Sequence, residues 1–210
     1  MAARLVLATR NAHKVGELQA ILTSIGVDVS LVGMDAYPDL PDVVEDGLTF
    51  AANASKKARV AAEATGLPAV ADDSGLCVDA LNGMPGVFSA RWAGTHSDDA
   101  ANLALVLAQI SDVPDEHRGG RFECAAALVL ASGEERVTQG RIDGVLIREP
   151  RGTGGFGYDP AFVPHGYEVT TAEMAPPAKN AISHRGRAFR ELAPFIDELV
   201  VARQQPGGKR

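Results

Sequence analysis

The sequence predicts an α/β protein with a mixed β-sheet, and two observations lead to this fold class. In the first half of the chain, short apolar runs typical of strands alternate with apolar residues at helical spacing. In the second half, two longer strand-like segments, "RFECAAALVLA" and "ERVTQGRIDGVLI", flank a tight turn at Ser132 and Gly133, which predicts an antiparallel hairpin. Parallel strands joined by helices and an antiparallel hairpin together make a mixed sheet.

The first-half elements follow from the local pattern. "RLVLA" predicts a strand, and the apolar spacing that follows predicts a helix from Asn11 that ends at Gly26. "VDVSLVG" predicts a second strand, "YPDLPDVVEDG" an acidic loop, and "LTFAANASKKARVAAEATG" a second helix ended by Gly66. The runs "LPAVADD" and "LCVDAL" predict two further short strands.

The remaining elements are predicted in the same way. A turn-rich loop, "NGMPGVFSARWAG", precedes a third helix from Ser97 to Ile110. After the hairpin, "AFV" predicts a short strand. The last helix is predicted from near Ser183 to Leu199, and Pro194 should kink it. We expect residues 1–203 to form a single domain and residues 204–210 to form a disordered tail.

Composition narrows the class of protein. The chain has 210 residues, 46% of them hydrophobic, and a net charge of -7. Because nucleic-acid binders normally present a basic face, an acidic chain argues against a nucleic-acid partner. The two cysteines form no C-x-x-C motif, and the N-terminal apolar run is too short for a signal peptide or a membrane span. We therefore expect a soluble, reduced, cytoplasmic protein without a membrane partner.

The segment "TRNAHK" joins the first strand to the first helix. Lys14 falls in the first helical turn, where the helix dipole makes a cation unfavourable by about 0.3–1 kcal/mol. An anion bound at the helix N-terminus would reverse that sign. The alternative is a solvated lysine, with Asn11 as an ordinary helix cap. The Walker lysine pattern is absent from this segment, which excludes a P-loop.

The second helix carries two adjacent lysines that the helical spacing separates. Lys57 falls within the apolar stripe of Phe50 and the alanines, Asn53 lies at the margin of the stripe, and Lys56 points away. A lysine on a core-facing stripe is costly unless its charge has a partner, so Lys57 is the candidate for contact with an anion. The alternative is that its stem passes the small alanines and reaches solvent.

A pair of carboxylates follows the apolar run "LPAVA". Asp72 and Asp73 are expected at the end of a strand, where strand alternation would point only one of them into a cleft. Hard oxygen ligands suit Mg²⁺, and Glu45 and Asp46 of the acidic loop could complete such a site. The alternative is an ordinary turn, because Asp-Ser-Gly is good turn chemistry.

"GTGGFGYDP" contains a literal G-x-G-x-x-G, the fingerprint of dinucleotide-binding enzymes. The fingerprint requires a helix to open within it, and Pro160 and Pro164 argue against one. The glycines instead indicate an open backbone beside Phe156, a platform on which a base could stack.

The segment "KNAISHRG" places Ser183 as a helix cap and His184 and Arg185 in the first turn. The guanidinium fork suits carbonyl or phosphate acceptors. The alternative is a basic helix start exposed to water.

Taken together, "TRNAHK", "EDGLTFAANASKKA", "ADDSGLCVDALNGMPGVFSARWAG", "GTGGFGYDPAF" and "ISHRG" occur in this order. In this order and spacing they closely resemble the non-canonical purine nucleoside triphosphate pyrophosphatase family, the inosine/xanthosine triphosphate pyrophosphatases. The resemblance extends from near Leu5 to about Leu199.

The resemblance implies an enzyme that hydrolyses ITP, dITP and XTP between the α and β phosphates, giving the monophosphate and pyrophosphate. It also implies Mg²⁺ as the cofactor and a homodimer. The implied fold is an elongated mixed β-sheet flanked by helices, in two lobes with a central active-site cleft.

The resemblance also assigns roles by motif. Asp73 resembles the family's general base and metal-associated carboxylate, and Glu45 resembles the second metal carboxylate. Lys14 and Lys57 would supply positive charge for catalysis. The residues that would hold the triphosphate are Thr9, Arg10, Asn11, Ala12, His13, Lys14, Asn53 and Lys57. Ser74 would contact the substrate. The residues that would hold the nucleoside and base are Phe156, Gly157, Tyr158, Asp159, Lys179, His184 and Arg185.

One departure from the family pattern is Arg10, where many members have glycine; its side chain would either add an anion contact or point outward.

Two other functions compete with the one implied. The first is a pyrophosphatase that acts on modified pyrimidine or methylated nucleotides. The second is a nucleotide-binding sensor without catalysis, which would need neither a base nor a metal.

Overall fold

A seven-stranded mixed sheet is the framework of the computed structural model, which describes residues 3–10, 12–40, 42–94 and 98–201. The strands are β1 (Ala3–Leu7), β2 (Val29–Gly33), β3 (Ala69–Val78), β4 (Met84–Pro85), β5 (Gly119–Val129), β6 (Glu135–Leu146) and β7 (Phe162–Pro164). Their order is β2-β1-β3-β5-β6-β7, and β4 pairs with β3. The strand β1 is parallel to β2 and β3, whereas β6 and β7 are antiparallel, so the predicted mixed sheet is confirmed.

Five α-helices occur in the described part of the chain. They are α1 (Ala12–Ser24), α2 (Phe50–Thr65), α3 (Asp99–Gln109), α4 (Pro176–Ile182) and α5 (His184–Ile196). The sequence predicted all of these except α4, which begins with two prolines. Proline lacks a backbone N–H and normally marks a break, but the first helical turn leaves its N–H groups unbonded and therefore tolerates it.

The chain divides into two compact units. The first unit comprises Met1–Asp73, Ala125–Gly140 and Arg185–Arg210. The second unit comprises Ser74–Cys124 and Arg141–His184. That residues 1–203 form a single domain stays a prediction, and the expected tail at 204–210 lies outside the described residues.

In the first unit, the parallel strands and their helices form the core. Leu5 and Leu7 of β1 are buried, as are Leu18 and Leu22 of α1. The helix α2 begins because the side chain of Thr49 accepts a hydrogen bond from the N–H of Ala52. It ends at Gly66, whose left-handed backbone an L-residue rarely adopts.

In the second unit, α3 packs against strands of the sheet. The buried cluster includes Leu103 and Val106 of α3, together with Phe122 and Phe162 from β5 and β7. The two phenylalanine rings meet edge to face, with centroids 4.7 Å apart. Tyr158 also belongs to this cluster.

The strand β3 differs from the prediction. The expectation that Asp72 and Asp73 end a strand is wrong, because β3 runs for ten residues through both aspartates and on to Val78. The turn that Asp-Ser-Gly suggested does not form. A Cβ on Gly75 would overlap the carbonyl oxygen of Gly86 and the hydroxyl of Ser89. Gly75 therefore allows a close approach of chain segments rather than a turn.

Two helix boundaries also differ. The third helix begins at Asp99, capped by the side chain of Asp98, and the predicted start at Ser97 lies outside the described residues. The last helix continues past Pro194 to Ile196 and then changes to a π-helical turn at Asp197–Val201. The glycine-rich stretch opens no α-helix; a short 3₁₀ turn and β7 follow it, as the prolines predicted.

The two cysteines are buried thiols that are not joined by a disulfide. Burial raises the pKa of the Cys77 thiol to about 11, and the charge of Glu123 adds to the effect. None of the described helices is long and apolar enough to cross a membrane.

We expect native Cys77 and Cys124 to resist a thiol-specific chromogenic reagent. At about pH 8 an ordinary exposed thiol is partly ionised and reacts readily. Because both thiols are buried and that of Cys77 stays protonated, reaction of the native protein should be more than about tenfold slower than that of the unfolded chain.

The matched control is Ala20→Cys, which places a thiol at an exposed position on α1. This variant should show one fast-reacting thiol in the native state. If both native cysteines reacted with the reagent as fast as those of the unfolded chain, the buried positions of Cys77 and Cys124 would be contradicted.

Candidate functional site

A cluster of buried charges lies in the first unit, around Asp72 and Asp73 of β3. Lys57 of α2 has a side chain only 12% exposed, and its Nζ lies 2.5 Å from Glu45 Oε1 and 4.0 Å from Asp73 Oδ1. Lys56 is 39% exposed and pairs with Asp46. The prediction that Lys57 rather than Lys56 faces inward is confirmed. The alternative, in which the side chain of Lys57 extends past the alanines to solvent, is wrong.

Lys57 remains a cation in these surroundings. Burial by itself lowers the pKa of a lysine, but the negative charges of Asp72, Asp73 and Glu45 outweigh burial and raise the pKa of Lys57 above its ordinary value. The α2 helix therefore carries a fixed positive charge at the carboxylates.

Asp73 is held by a buried amide. Asn53 Nδ2 donates to Asp73 Oδ2 at 2.9 Å, and Asn53 Oδ1 accepts the N–H of Gly47 at 2.7 Å. Burial raises the pKa of Asp73, and the negative charges of Glu45 and Asp72 act in the same direction. The carboxylate is thus both oriented and more basic than an exposed aspartate. Asn53 contacts Asp73 directly, a role that the sequence did not suggest.

Asp72 has a different set of partners. Arg185 Nε donates to Asp72 Oδ2 at 3.1 Å, and Lys14 Nζ lies 3.3 Å from the same oxygen. Burial alone would raise the pKa of Asp72, but Lys14, Arg185 and Lys57 hold it well below its usual range. The alternative of an exposed Arg185 is wrong, since Arg185 is 3% exposed. Lys14, whose side chain is 24% exposed, is not a purely solvated lysine, because it pairs with the buried Asp72. The sequence did not identify Asp72 as the partner of Arg185 and Lys14, because nothing in the local pattern distinguishes Asp72 from Asp73.

The segment before α1 is tied to the acidic loop, residues 37–47. Arg10 Nε donates to Asp42 Oδ1 at 3.0 Å, and the guanidinium also contacts the carbonyls of Met34 and Leu40. The carbonyl of Thr9 accepts the N–H of Met34 at 3.0 Å. Arg10 therefore points towards the acidic loop. Of the other predicted triphosphate contacts, Asn11 lies outside the described residues, as do the side chains of Ala12 and His13.

Glu45 and Asp73 fit a divalent metal that keeps water ligands. Both carboxylates border the Lys57 ammonium, and each supplies hard oxygens. Within the described residues, no three His, Cys, Asp or Glu side chains come together as a metal-binding group. Mg²⁺ does not need such a cage, because it is commonly held by one or two carboxylates together with substrate phosphates.

In the second unit, Asp159 organises the glycine-rich stretch. Its Oδ2 accepts the N–H of Phe156 at 2.8 Å and lies 2.5 Å from Lys179 Nζ. Its Oδ1 accepts the hydroxyl of Thr171 at 2.7 Å. Gly155 has a φ of +72°, and a Cβ there would overlap the Asp159 carboxylate. The sequence did not point to Thr171.

The two aromatic residues of this stretch differ in exposure. The ring of Phe156 is 55% exposed, with Lys179 Nζ 5.2 Å from its centroid. The ring of Tyr158 is buried, its hydroxyl donates to the carbonyl of Ser89 at 2.8 Å, and burial raises the pKa of Tyr158. Phe156 therefore offers a face to a ligand, whereas Tyr158 could contact one only through its backbone.

Three further predicted residues lie in the second unit. Ser74 is half-buried on β3, and the ring of His184 stacks on Phe122 with centroids 5.0 Å apart and planes 13° from parallel. The N–H of Gly157 donates to Asp99 Oδ2 at 2.8 Å. Asp99 was not predicted, because an aspartate in a first helical turn is ordinary.

The fold and the charge cluster define the class of protein: a mixed α/β protein whose paired carboxylates and lysines suit an anionic ligand with a divalent cation. The chain belongs to the Ham1 family, whose family model matches residues 5–195. Family membership agrees with the resemblance of the motifs.

Relatives match over nearly their whole length. A protein of Streptomyces coelicolor named dITP/XTP pyrophosphatase is 64% identical over 197 residues, covering 94% of this chain and 98% of its own. A Nocardia farcinica protein of the same name is 59% identical, covering 94% and 97%.

Solved structures agree with the fold. A Mycobacterium abscessus structure described as a nucleoside-triphosphatase / dITP/XTP pyrophosphatase has a TM-score of 0.76 at 54% identity, covering 92% of this chain and 99% of its own. A HAM1 protein from Coxiella burnetii has a TM-score of 0.85 at 41% identity, covering 93% and 99%.

We expect Asp72→Asn to lower the free energy of unfolding by about 3–5 kcal/mol, because it leaves Arg185 and Lys14 without this buried carboxylate. Urea unfolding measures the loss. Asp42→Asn is the matched control, since it also removes a carboxylate that pairs with an arginine, but Asp42 is 88% exposed. That variant should lose about 0–1 kcal/mol.

The pH dependence gives a second test. The depressed pKa of Asp72 means that its stabilisation is complete above the pKa of an unfolded aspartate, about 3.9, and declines as the pH falls below it. The difference between the wild type and Asp72→Asn should therefore narrow in acid. Equal losses for the Asp72 and Asp42 variants at neutral pH would contradict the buried ion pair.

Proposed function

We propose that this protein hydrolyses non-canonical purine nucleoside triphosphates, namely ITP, dITP and XTP, to the monophosphate and pyrophosphate. The observation that carries the proposal is an oriented, basic Asp73 beside a charged lysine, in a chain 64% identical to a protein named dITP/XTP pyrophosphatase. Such an enzyme would remove deaminated purines from the nucleotide pool.

The cations of the first unit would bind the triphosphate. Lys57 keeps its charge although it is buried, and Lys14 lies beside Asp72 near the start of α1. Positive charges fixed in a site of low dielectric stabilise phosphate oxygens more strongly than charges in water. Thr9 and the N-terminal part of α1 would add contacts, and Asn53 would orient Asp73. Because the guanidinium of Arg10 is bonded to the acidic loop, Arg10 would contact the triphosphate through its backbone.

Asp73 would act as the general base. Its raised pKa allows it to accept a proton from a water that attacks the α-phosphorus in line with the pyrophosphate leaving group. The electrons of the broken P–O bond leave with pyrophosphate, and the proton passes to Asp73. A divalent metal, which we propose is Mg²⁺ bound by Glu45 and Asp73, would neutralise charge on the phosphate oxygens when bound.

The second unit would bind the nucleoside. The exposed face of Phe156 would stack on the purine. Lys179 and His184 would donate to the 6-carbonyl of hypoxanthine or xanthine, and Gly157, Tyr158 and Asp159 would contact the nucleoside. By the family resemblance, Arg185 would be a further donor to the base, and Ser74 would contact the substrate. Adenine presents an amino group at that position, and each buried unmatched donor would cost about 1–3 kcal/mol.

Three features rest on the family resemblance. These are a homodimer, a cytoplasmic location and the arrangement of two lobes with an active-site cleft.

The test of the proposed function is a nucleotide panel with Mg²⁺ that measures pyrophosphate and orthophosphate separately. ITP, dITP and XTP should release pyrophosphate and the monophosphate, with kcat/KM at least about tenfold above that for ATP and GTP. Orthophosphate as the product of ITP would overturn the proposed cleavage position. Faster turnover of modified pyrimidine or methylated nucleotides would favour the alternative pyrophosphatase.

Asp73→Asn serves as the control for the panel. It should lower kcat for ITP by about 10²–10⁴-fold while the circular dichroism spectrum is unchanged. A wild type that binds ITP without turnover would support a sensor. Near-normal turnover by Asp73→Asn would show that another residue is the base.

We expect Lys57→Ala and Lys56→Ala to differ sharply although the residues are adjacent. Lys57→Ala should lower kcat/KM for ITP by at least about 100-fold, because it removes the charge that faces Glu45 and Asp73. Lys56→Ala removes only an exposed pair with Asp46 and should stay within about twofold. Steady-state pyrophosphate release measures both, and equal effects would refute the assignment of Lys57.

A further inference from the structure

The glycine loop, residues 152–158, depends on outside partners for its shape. Gly152, Gly155 and Gly157 have φ values of +85°, +72° and +61°. Glycines lose more conformational freedom on folding than other residues, so a segment with so many of them has little order of its own. The groups that hold its backbone therefore determine where the exposed ring of Phe156 lies.

Three backbone N–H groups of the loop have acceptors. The N–H of Gly154 donates to the carbonyl of Ala172 at 2.9 Å, and the N–H of Phe156 donates to Asp159 at 2.8 Å. The next N–H, that of Gly157, donates to Asp99 Oδ2 at 2.8 Å. Two carboxylates thus accept the successive N–H groups of Phe156 and Gly157. One belongs to Asp159, which directly follows the loop, and the other to Asp99 of α3.

Asp99 is placed by a rigid element. The helix α3 is capped by Asp98, whose Oδ1 accepts the N–H of Ala101 at 3.0 Å. Leu103 and Val106 of α3 are buried in the core of the second unit. Since Asp98 already caps the helix, the carboxylate of Asp99 is available to the loop. A carboxylate in the first helical turn is favoured by the helix dipole, and hydrogen bonds to ionised acceptors are the stronger ones.

We propose that Asp99 is a positioning residue for base recognition. By holding the N–H of Gly157, Asp99 fixes the adjacent Phe156 ring in the orientation that stacks on the purine. Asp99 itself does not touch the substrate. The proposal rests on the proposed function, because it assigns Phe156 to the base of a purine nucleotide.

The kinetic test compares Asp99→Ala with the wild type in pyrophosphate release from ITP with Mg²⁺. Stacking is the same in the bound substrate and in the transition state, so its loss should raise KM and leave kcat unchanged. We expect KM to rise about tenfold, because the loss of one hydrogen bond to a charged group changes an equilibrium constant by about that factor. The kcat value should stay within about twofold of the wild type.

A second readout needs no substrate. Hydrogen exchange followed by mass spectrometry should show faster exchange in peptides that cover residues 152–158 of Asp99→Ala. Peptides from β1 and α2 should exchange as in the wild type.

Two variants serve as controls. Asp99→Asn keeps an acceptor oxygen and should restore KM to within about threefold of the wild type. Asp115→Ala removes an exposed carboxylate of the second unit that pairs with Arg148, and it should leave both KM and loop exchange unchanged.

The double variant Phe156→Ala/Asp99→Ala separates positioning from a general structural effect. If Asp99 acts through the ring, adding Asp99→Ala to Phe156→Ala should change KM by less than about twofold. An additive effect in the double variant would overturn the proposal, as would a wild-type KM for Asp99→Ala or unchanged loop exchange.

Failure of the proposed function is distinguishable from failure of this inference. A wild type that releases no pyrophosphate from ITP refutes the proposed function. In that case, faster loop exchange in Asp99→Ala alone still supports Asp99 as the residue that orders the loop, and unchanged exchange refutes it.

Discussion

Two consecutive aspartates buried in the middle of a β-strand are the constraint on which the first unit depends. A buried carboxylate costs several kcal/mol unless a cation or a hydrogen-bond donor compensates it. Successive residues on a strand point to opposite faces, so one cation cannot serve both equally. Asp72 is served by Lys14 and Arg185, and Asp73 by Asn53 and Lys57. The residues that compensate the two charges come from α1, α2 and α5, which therefore must pack around β3.

The sequence predicted much of this arrangement because its signals are local. Helical spacing separated Lys57 from Lys56, and the prolines after Gly157 excluded a dinucleotide helix. What it could not predict depends on tertiary pairing. Asp-Ser-Gly favours a turn locally, but pairing with neighbouring strands and the close approach at Gly75 keep β3 extended. The local pattern left open whether Arg185 lies at a helix start exposed to water, because its carboxylate partner, Asp72, is distant in the chain.

In the second unit, the corresponding constraint is the shape of the glycine loop, residues 152–158. The loop has backbone angles that other residues rarely adopt, and its glycines lose more conformational freedom on folding than other residues would. Order comes from acceptors on better-defined parts of the unit, such as the carbonyl of Ala172 and the carboxylate of Asp159. Asp159 is itself held by Lys179 and Thr171. An exposed aromatic ring on such a loop can lie close to a flat ligand, and the acceptors limit the entropy that binding would otherwise cost.

The electrostatics of the two aspartates separate their roles. They are identical side chains one residue apart, yet their pKa values move in opposite directions. Three cations act on Asp72 and keep it ionised, so it serves as a fixed counter-ion. For Asp73, burial and the neighbouring carboxylates outweigh Lys57 and Asn53, so proton uptake becomes easier. Where the surroundings shift the pKa values of two adjacent titratable groups in opposite directions, the group with the raised pKa is the one suited to proton transfer.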